Sequence, residues 1–256
     1  MFLETRDEHF ITIVGWNIRA GGGVRAPWIA ERIASWRADV VALSEFRGTP
    51  ASVWLRERLA SDGLAHQADT VDPMDPARNR MFIASRWPIE TLALAKKPRP
   101  DGKWLPVRVA APRPFVVSAL HAPLFVSGKK HRWRYTVLDL AKRWRHGPAL
   151  FIGDTNTGKM DIDEESRVFS GDDDAWFDAM ARAGWRDAFR TLNPDTRWYT
   201  WYSPNKGNGF RLDEAFVNDA LWDRLAAARY EWAMVEGSTR RDAVSDHAAV
   251  IVELRH

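Results

Sequence analysis

Cysteine is absent from this sequence. That excludes a disulfide framework and any thiolate metal site, and it suits a reducing, cytoplasmic setting. A bound metal would have to be held by carboxylate, amide or imidazole groups, donors that favour a hard divalent ion such as Mg2+ or Mn2+. No apolar run reaches membrane-spanning length, and the stretch from Met1 to Phe10 is too charged for a signal peptide, so no membrane association is expected. Linkers, internal repeats and low-complexity segments are missing as well. A chain of 256 residues can bury a sizeable core, and residues 1–256 read as one domain, expected to be a monomer.

Tryptophan, by contrast, is abundant: fourteen residues, most suited to a core and some free to stack on bases or sugars. The net charge of +3 conceals an asymmetry. Between Arg78 and Arg145 sixteen Lys and Arg face three acids (Glu90, Asp101, Asp139), whereas from Asp154 to Asp195 the acids lead eleven to five. The basic half is interleaved with aromatics, as in Lys129-Lys130-His131-Arg132-Trp133-Arg134-Tyr135. That run alone reads equally well as a solvated helix face. Summed over the middle of the chain, the excess has the footprint of a surface for a polyanion.

The apolar run Ala149 to Ile152 predicts a short buried strand, followed by Gly153 at a turn and by Asp154 and Asn156 at alternate positions. A polar pair at the carboxyl end of a core strand is a usual place for chemistry in α/β proteins. Upstream, strands are expected at Phe10 to Trp16, Asp39 to Leu43, Leu64 to Ala68, Met81 to Ser85, Thr91 to Ala95, Trp104 to Ala110 and Phe115 to Leu120. Helices are expected from Pro27, over Ala51 to Ser61, and from Gly128 to about Trp144. Downstream, Asp161 to Phe169 reads as an acidic surface loop, Asp172 to Ala183 as a helix with acids in its first turn, and Ala220 to Leu225 as a short helix. Tyr199 to Tyr202, Phe210 to Val217, Ala228 to Trp232 and Ala248 to Leu254 complete the strands. Consecutive strands in the middle point to antiparallel pairing within an otherwise α/β chain.

Polar residues recur at or within these strands: Asn17, Glu45, His121, Asp154 with Asn156, Asp213, and Asp246-His247. Singly, each has a plain structural explanation. Asn17 could cap a turn, Glu45 a helix, His121 could be a satisfied core histidine and Asp213 a partner of Arg211. One shared site accounts for all of them more simply.

The segments Gly15-Trp16-Asn17-Ile18-Arg19, Leu43-Ser44-Glu45, His121-Ala122-Pro123, Gly153-Asp154-Thr155-Asn156, Phe210-Arg211-Leu212-Asp213 and Ser245-Asp246-His247 together resemble, in order, the endonuclease/exonuclease/phosphatase superfamily. Trp176 to Arg190, Tyr199-Thr200-Trp201 and Gly209 to Val217 look most like exonuclease III and the related abasic-site endonucleases. The resemblance implies an α/β (α+β) fold, a four-layer αββα sandwich with two mostly antiparallel sheets flanked by helices. It also implies metal-dependent hydrolysis of DNA phosphodiesters, as an abasic-site endonuclease and/or 3′-5′ exonuclease in repair. A phosphatase or phosphodiesterase acting on a smaller ester is the alternative within the superfamily. A nucleic-acid-binding module without catalysis fits less well, because the acidic and imidazole set is intact.

Carried over residue by residue, the resemblance makes Glu45 the main ligand of Mg2+ or Mn2+ and Asp246 a second ligand or outer anchor. Asp154 would activate the attacking water, with Asn156 and Asn17 holding phosphate and water in line. His247 would contact the phosphate, oriented by Asp213, and His121 would donate to a phosphate oxygen. Trp201, Phe210 and Leu212 would form an apolar pocket for a baseless sugar, and alternation puts Phe210 and Leu212 on one strand face with Arg211 and Asp213 on the other. Arg19, Lys129, Lys130 and Arg132 are candidate contacts to a DNA backbone. Arg19, Ser44 and Met81-Phe82 depart from the residues common in repair members, which touches the second metal position and DNA binding but not the catalytic set.

Overall fold

Strands that read as continuous apolar runs need cover on both faces, and the architecture supplies it. The computed structural model describes residues 10–94, 96–124, 129–234 and 243–256. The chain begins with β1 (Phe10–Asn17), α1 (Ala26–Ser35), β2 (Val40–Phe46), α2 (Pro50–Ser61), β3 (His66–Asp69) and β4 (Arg80–Ser85). It continues through β5 (Ile89–Thr91), β6 (Trp104–Val109), β7 (Phe115–His121), α3 (Lys129–Lys142), β8 (Ala149–Asp154) and α4 (Gly171–Arg182). The last third holds β9 (Trp185–Asp187), α5 (Ala188–Leu192), β10 (Trp201–Tyr202), β11 (Gly209–Phe210) and β12 (Asp213–Asn218). It closes with α6 (Asp219–Trp222), β13 (Leu225–Glu231) and β14 (Ala249–Arg255).

Two six-stranded sheets result, in the orders β13-β14-β1-β2-β4-β3 and β5-β6-β7-β8-β12-β9. Each is antiparallel except for its central pair, β1 with β2 and β7 with β8, which run parallel. The inner faces meet in one core of alternating residues, among them Ile11, Ile13, Val107, Val117, Ile152, Val217 and Val252. The outer faces are covered separately. Val14, Leu43 and Ile251 pack under Ile29 and Ile33 of α1 and Leu55 and Leu59 of α2. Val116, Phe151 and Phe216 pack under Trp133 and Val137 of α3 and Trp176 and Met180 of α4. This is the expected four-layer αββα sandwich. No helix among the described residues is long and apolar enough to cross a membrane.

Several boundaries differ from expectation. The second strand runs on through Phe46, because a bulge between Ser44 and Phe46 absorbs Glu45 instead of ending the pairing. The expected strand at Thr91 to Ala95 lies earlier, at Ile89–Thr91, paired with Val107 to Val109; Ala95 and Gly128 fall outside the described residues. The expected strand from Phe210 to Val217 is broken at Arg211 and Leu212. Asp161 to Phe169 is not simply an acidic surface loop, since Asp163 and Glu164 are buried. Asp163 pairs with Arg211 and Arg190, and Glu164 accepts the backbone N–H groups of Val168 and Phe169.

At Gly15 the two sheets leave no room for a side chain. A Cβ on Gly15 would lie 2.5 Å from Cγ1 of Ile152 in the other sheet and 2.9 Å from Cγ1 of Val250. Gly15→Ala is therefore expected to destabilise the fold by about 1–3 kcal/mol through overpacking. A lower urea midpoint at unchanged slope is the expected signature, and an unchanged midpoint would show that the interface can yield there.

Candidate active site

Both parallel pairs end at the same edge of the sandwich, so the carboxyl ends of β1, β2, β7 and β8 deliver side chains to one cleft. In the second sheet, His121, Asp154 and Asp213 are neighbours in register on β7, β8 and β12. The first sheet contributes Asn17 at the end of β1, Glu45 in the β2 bulge, and Asp246 and His247 just before β14. A cleft of about 520 Å³ is lined by these groups and Asn156 at one end, and by Phe169, Trp201, Phe210 and Leu212 at the other.

Hydrogen bonds fix the polar end. The Asn17 side-chain amide donates to Oδ2 of Asp154 at 3.0 Å, and the backbone N–H of Asn156 donates to Oδ1 at 2.9 Å. Asn17 is held in turn, its Oδ1 accepting from the backbone of Arg19 and its carbonyl accepting from Ser245 Oγ. Nδ1 of His247 meets Oδ2 of Asp213 at 2.9 Å, and the His247 carbonyl accepts from the indole N–H of Trp16. Nε2 of His247 and Nε2 of His121 lie 3.9 Å and 3.7 Å from Oδ2 of Asp154. Glu45 sits at φ 60°, a conformation costly for a residue with a side chain and one that concentrates at functional positions. Its Oε2 accepts the N–H of Ala20, and its carbonyl accepts that of Gly21.

These surroundings set protonation. Burial pushes the Asp154 carboxyl up to about 7, and the nearby Asp213 carboxylate adds to the effect while His247 opposes it. Burial works against a charged His247, but contact with Asp213 outweighs it and raises the ring to about 10. His121 goes the other way. Burial, with Lys103 and His247 adding repulsion, holds its pKa well below the usual imidazole value.

Asp154, Asp213 and His247 each offer a ligand atom within 4.8 Å of the others, a spacing that could hold a divalent metal ion. Asp213 and His247 are already bonded to each other through Oδ2 and Nδ1. Glu45 and Asp246, which also line the cleft, are less committed. Asp246 makes a 3.8 Å, half-exposed ion pair with Arg19, and Glu45 is half-buried. Two hard carboxylates at the mouth of a buried polar cluster fit an oxygen-seeking divalent cation.

Not every expected contact faces the cleft. Arg19 lies at its rim beside Asp246, and Lys129 and Arg132 are exposed on α3. Lys130 is buried instead, its ammonium donating to the Asn156 carbonyl at 2.6 Å on the cleft wall. An unbroken strand would hold Asp213 on the face opposite Phe210 and Leu212; the break after Phe210 lets Phe210 and Leu212 line the cleft while Asp213, starting a new strand, reaches His247. Sequence reasoning missed Phe169, hidden in an apparent surface loop, and Lys103, a lone lysine before a strand with no motif to mark it.

The chain matches the Endonuclease/Exonuclease/phosphatase family over residues 14–247. Similar solved structures include an AP endonuclease from Archaeoglobus fulgidus, at 18% identity and TM-score 0.76, covering 94% of this chain and 98% of that one. A 3'-5' exonuclease (NExo) from Neisseria meningitidis gives 20% identity and TM-score 0.73, covering 95% and 99%. An endonuclease/exonuclease/phosphatase from Beutenbergia cavernae gives 24% identity and TM-score 0.72, covering 96% and 72%. No protein of curated function matches.

The raised carboxyl pKa has a consequence for stability. A group whose pKa is higher folded than unfolded contributes stability that is fully present below the unfolded value and lost as pH rises through the folded one. For Asp154 that window runs from the ordinary carboxyl value, about 4, up to about 7. Asp154→Asn, which cannot ionise, is expected to gain stability relative to the parent between pH values at the two ends of this window, read by urea denaturation. A difference that does not change with pH would show that Asp154 titrates normally.

Proposed function

The chain belongs to the Endonuclease/Exonuclease/phosphatase family, and from that premise we propose that it is a divalent-metal-dependent phosphodiesterase acting on DNA, as an abasic-site endonuclease and/or 3′-5′ exonuclease. The observation that carries this reading is the two-ended cleft, in which the Asp154–His247–Asp213 cluster adjoins an apolar wall of Phe169, Trp201, Phe210 and Leu212. A sugar without its base is compact and apolar in its ring carbons, and a flipped abasic nucleotide would bring it against that wall. The likeness to an AP endonuclease and to a 3'-5' exonuclease supports the same choice.

Glu45, with Asp246, would hold Mg2+ or Mn2+, which when bound supplies charge neutralisation for the phosphate. Asp154 deprotonates the attacking water. Its two oxygens are oriented by Asn17 and Asn156, and its pKa of about 7 makes it a base strong enough to accept a proton while a substantial fraction stays ionised in neutral solution. His247, kept cationic by Asp213, donates from Nε2 to a phosphate oxygen on the side facing Asp154. Asn156 is itself anchored through its side-chain amide to the Ala122 carbonyl, which ties the β7 and β8 ends together.

Exposed Lys129 and Arg132, with the basic middle of the chain, would follow the duplex backbone. A second reading, removal of a 3′ phosphate, is favoured by a structure of the Neisseria relative described as a 3' phosphatase bound to a product DNA hairpin.

Duplexes carrying an abasic analogue, a nick, a blunt end or a 3′-phosphorylated end, incubated with and without Mg2+, separate these readings. Cleavage at the abasic analogue is expected, lost in excess chelator. Asp154→Asn and His247→Ala should each lower the rate by roughly 10²-fold or more. Trp201→Ala or Phe210→Ala should impair abasic cleavage far more than hydrolysis of a small phosphodiester; an equal fall in both would remove the sugar-pocket reading. Binding should weaken steeply with salt, and neutralising Lys129 and Arg132 together should flatten that dependence. Salt-insensitive binding would favour a small ester as substrate.

A further inference from the structure

Two histidines face the same cleft, and charges of opposite sign partner their rings. Nδ1 of His247 meets the Asp213 carboxylate at 2.9 Å, whereas Nδ1 of His121 meets the Lys103 ammonium at 2.8 Å. An ammonium has three donors and no acceptor, so Nδ1 of His121 must be the acceptor. The proton of the neutral ring then sits on Nε2, the nitrogen that lies 3.7 Å from Oδ2 of Asp154 on the cleft wall. The contact is braced by the backbone, since the His121 N–H also donates to the Lys103 carbonyl at 3.0 Å. Lys103 directly precedes β6, whose first residue, Trp104, pairs with Leu120.

We infer that Lys103 is a positioning residue that holds His121 as the neutral Nε2–H tautomer, making His121 an uncharged hydrogen-bond donor to a phosphate oxygen while His247 serves as the charged one. The inference rests on the phosphodiesterase reading above. The division of labour has a physical reason. A cationic ring 3.7 Å from Asp154 would stabilise its carboxylate and weaken it as a base. A neutral His121 can donate without that effect. The charged groups around the pair are mixed: Glu45 and Asp154 favour a charged Lys103 against Arg78 and Arg80, while at His121 the repulsion of Lys103 and His247 works with burial against the pull of Asp154. Burial lowers the Lys103 pKa to about 8, which leaves it protonated in neutral solution. An acid at position 103 would do to His121 what Asp213 does to His247.

Heteronuclear nitrogen NMR of the full chain, labelled at histidine and free of substrate, reads the tautomer directly in neutral solution. In the wild type, His121 is expected to carry its proton on Nε2 with Nδ1 unprotonated. Lys103→Met should mix the tautomers and lower kcat by roughly 10-fold, the scale of one hydrogen bond, with little change in KM. Lys103→Arg should restore the tautomer and most of the rate, and Lys103→Glu should give a doubly protonated ring. A wild-type His121 protonated on Nδ1 or on both nitrogens overturns the inference, and so does a Lys103→Met spectrum identical to the wild type. The expected spectrum in a protein inactive on every DNA substrate would instead overturn the phosphodiesterase reading alone.

Discussion

The register of three adjacent strands is the constraint on which the site depends. His121, Asp154 and Asp213 face one another across β7, β8 and β12 because Asp154 is paired with both neighbours. Side chains alternate faces along a strand, so a slip of one residue in either pairing would turn one of these groups into a helix-covered layer. The apolar alternation enforces the register. Leu150 and Ile152 face the inter-sheet core while Phe151 packs under the outer helices, and each would be misplaced by the same slip. Burial of both sheet faces thus specifies the chemistry as well as the fold.

The break before β12 shows how a polar group can be delivered from a packed sheet. Arg211, fully buried, is bonded to Asp163 and Asp187 and to the Tyr230 hydroxyl, while the Tyr230 hydroxyl donates to the Asp213 carbonyl. Buried charges are tolerated only with such complete partnering, and losing one partner would leave an uncompensated charge. The cluster pins the two residues that belong to neither β11 nor β12. Around that pin, Phe210 and Leu212 turn to the cleft and Asp213 turns to the imidazole.

Much of this was legible in the sequence, and for physical reasons. Core strands such as Ala149 to Ile152 announce themselves because covered sheets demand continuous apolar runs. The polar residues that end them stand out against that background, which is why Asn17, Glu45, His121, Asp154 and His247 could be proposed together. What stayed hidden depends on long-range partners. Asp163 and Glu164 look like solvent-facing acids until Arg211 and the Phe169 backbone are placed beside them. Lys130 looks like one more charge in a basic run until the helix phase turns it inward to Asn156, and Lys103 becomes meaningful only beside His121. The β2 bulge at Glu45 likewise comes from pairing with β4, which local sequence does not express.

The closing pair of strands has a consequence for the order in which the cleft is assembled. β1, the first of the described strands, is hydrogen-bonded on one side to β2 and on the other to β14, the last of them. His247 is carried on the segment just ahead of β14, and its carbonyl is anchored to Trp16 of β1. A chain emerging from the ribosome therefore holds Asn17 and Asp154 long before it holds the imidazole that faces them. The polar cluster is completed only when the segment carrying His247 has been made and β14 has paired with β1, so half-folded forms lack the imidazole.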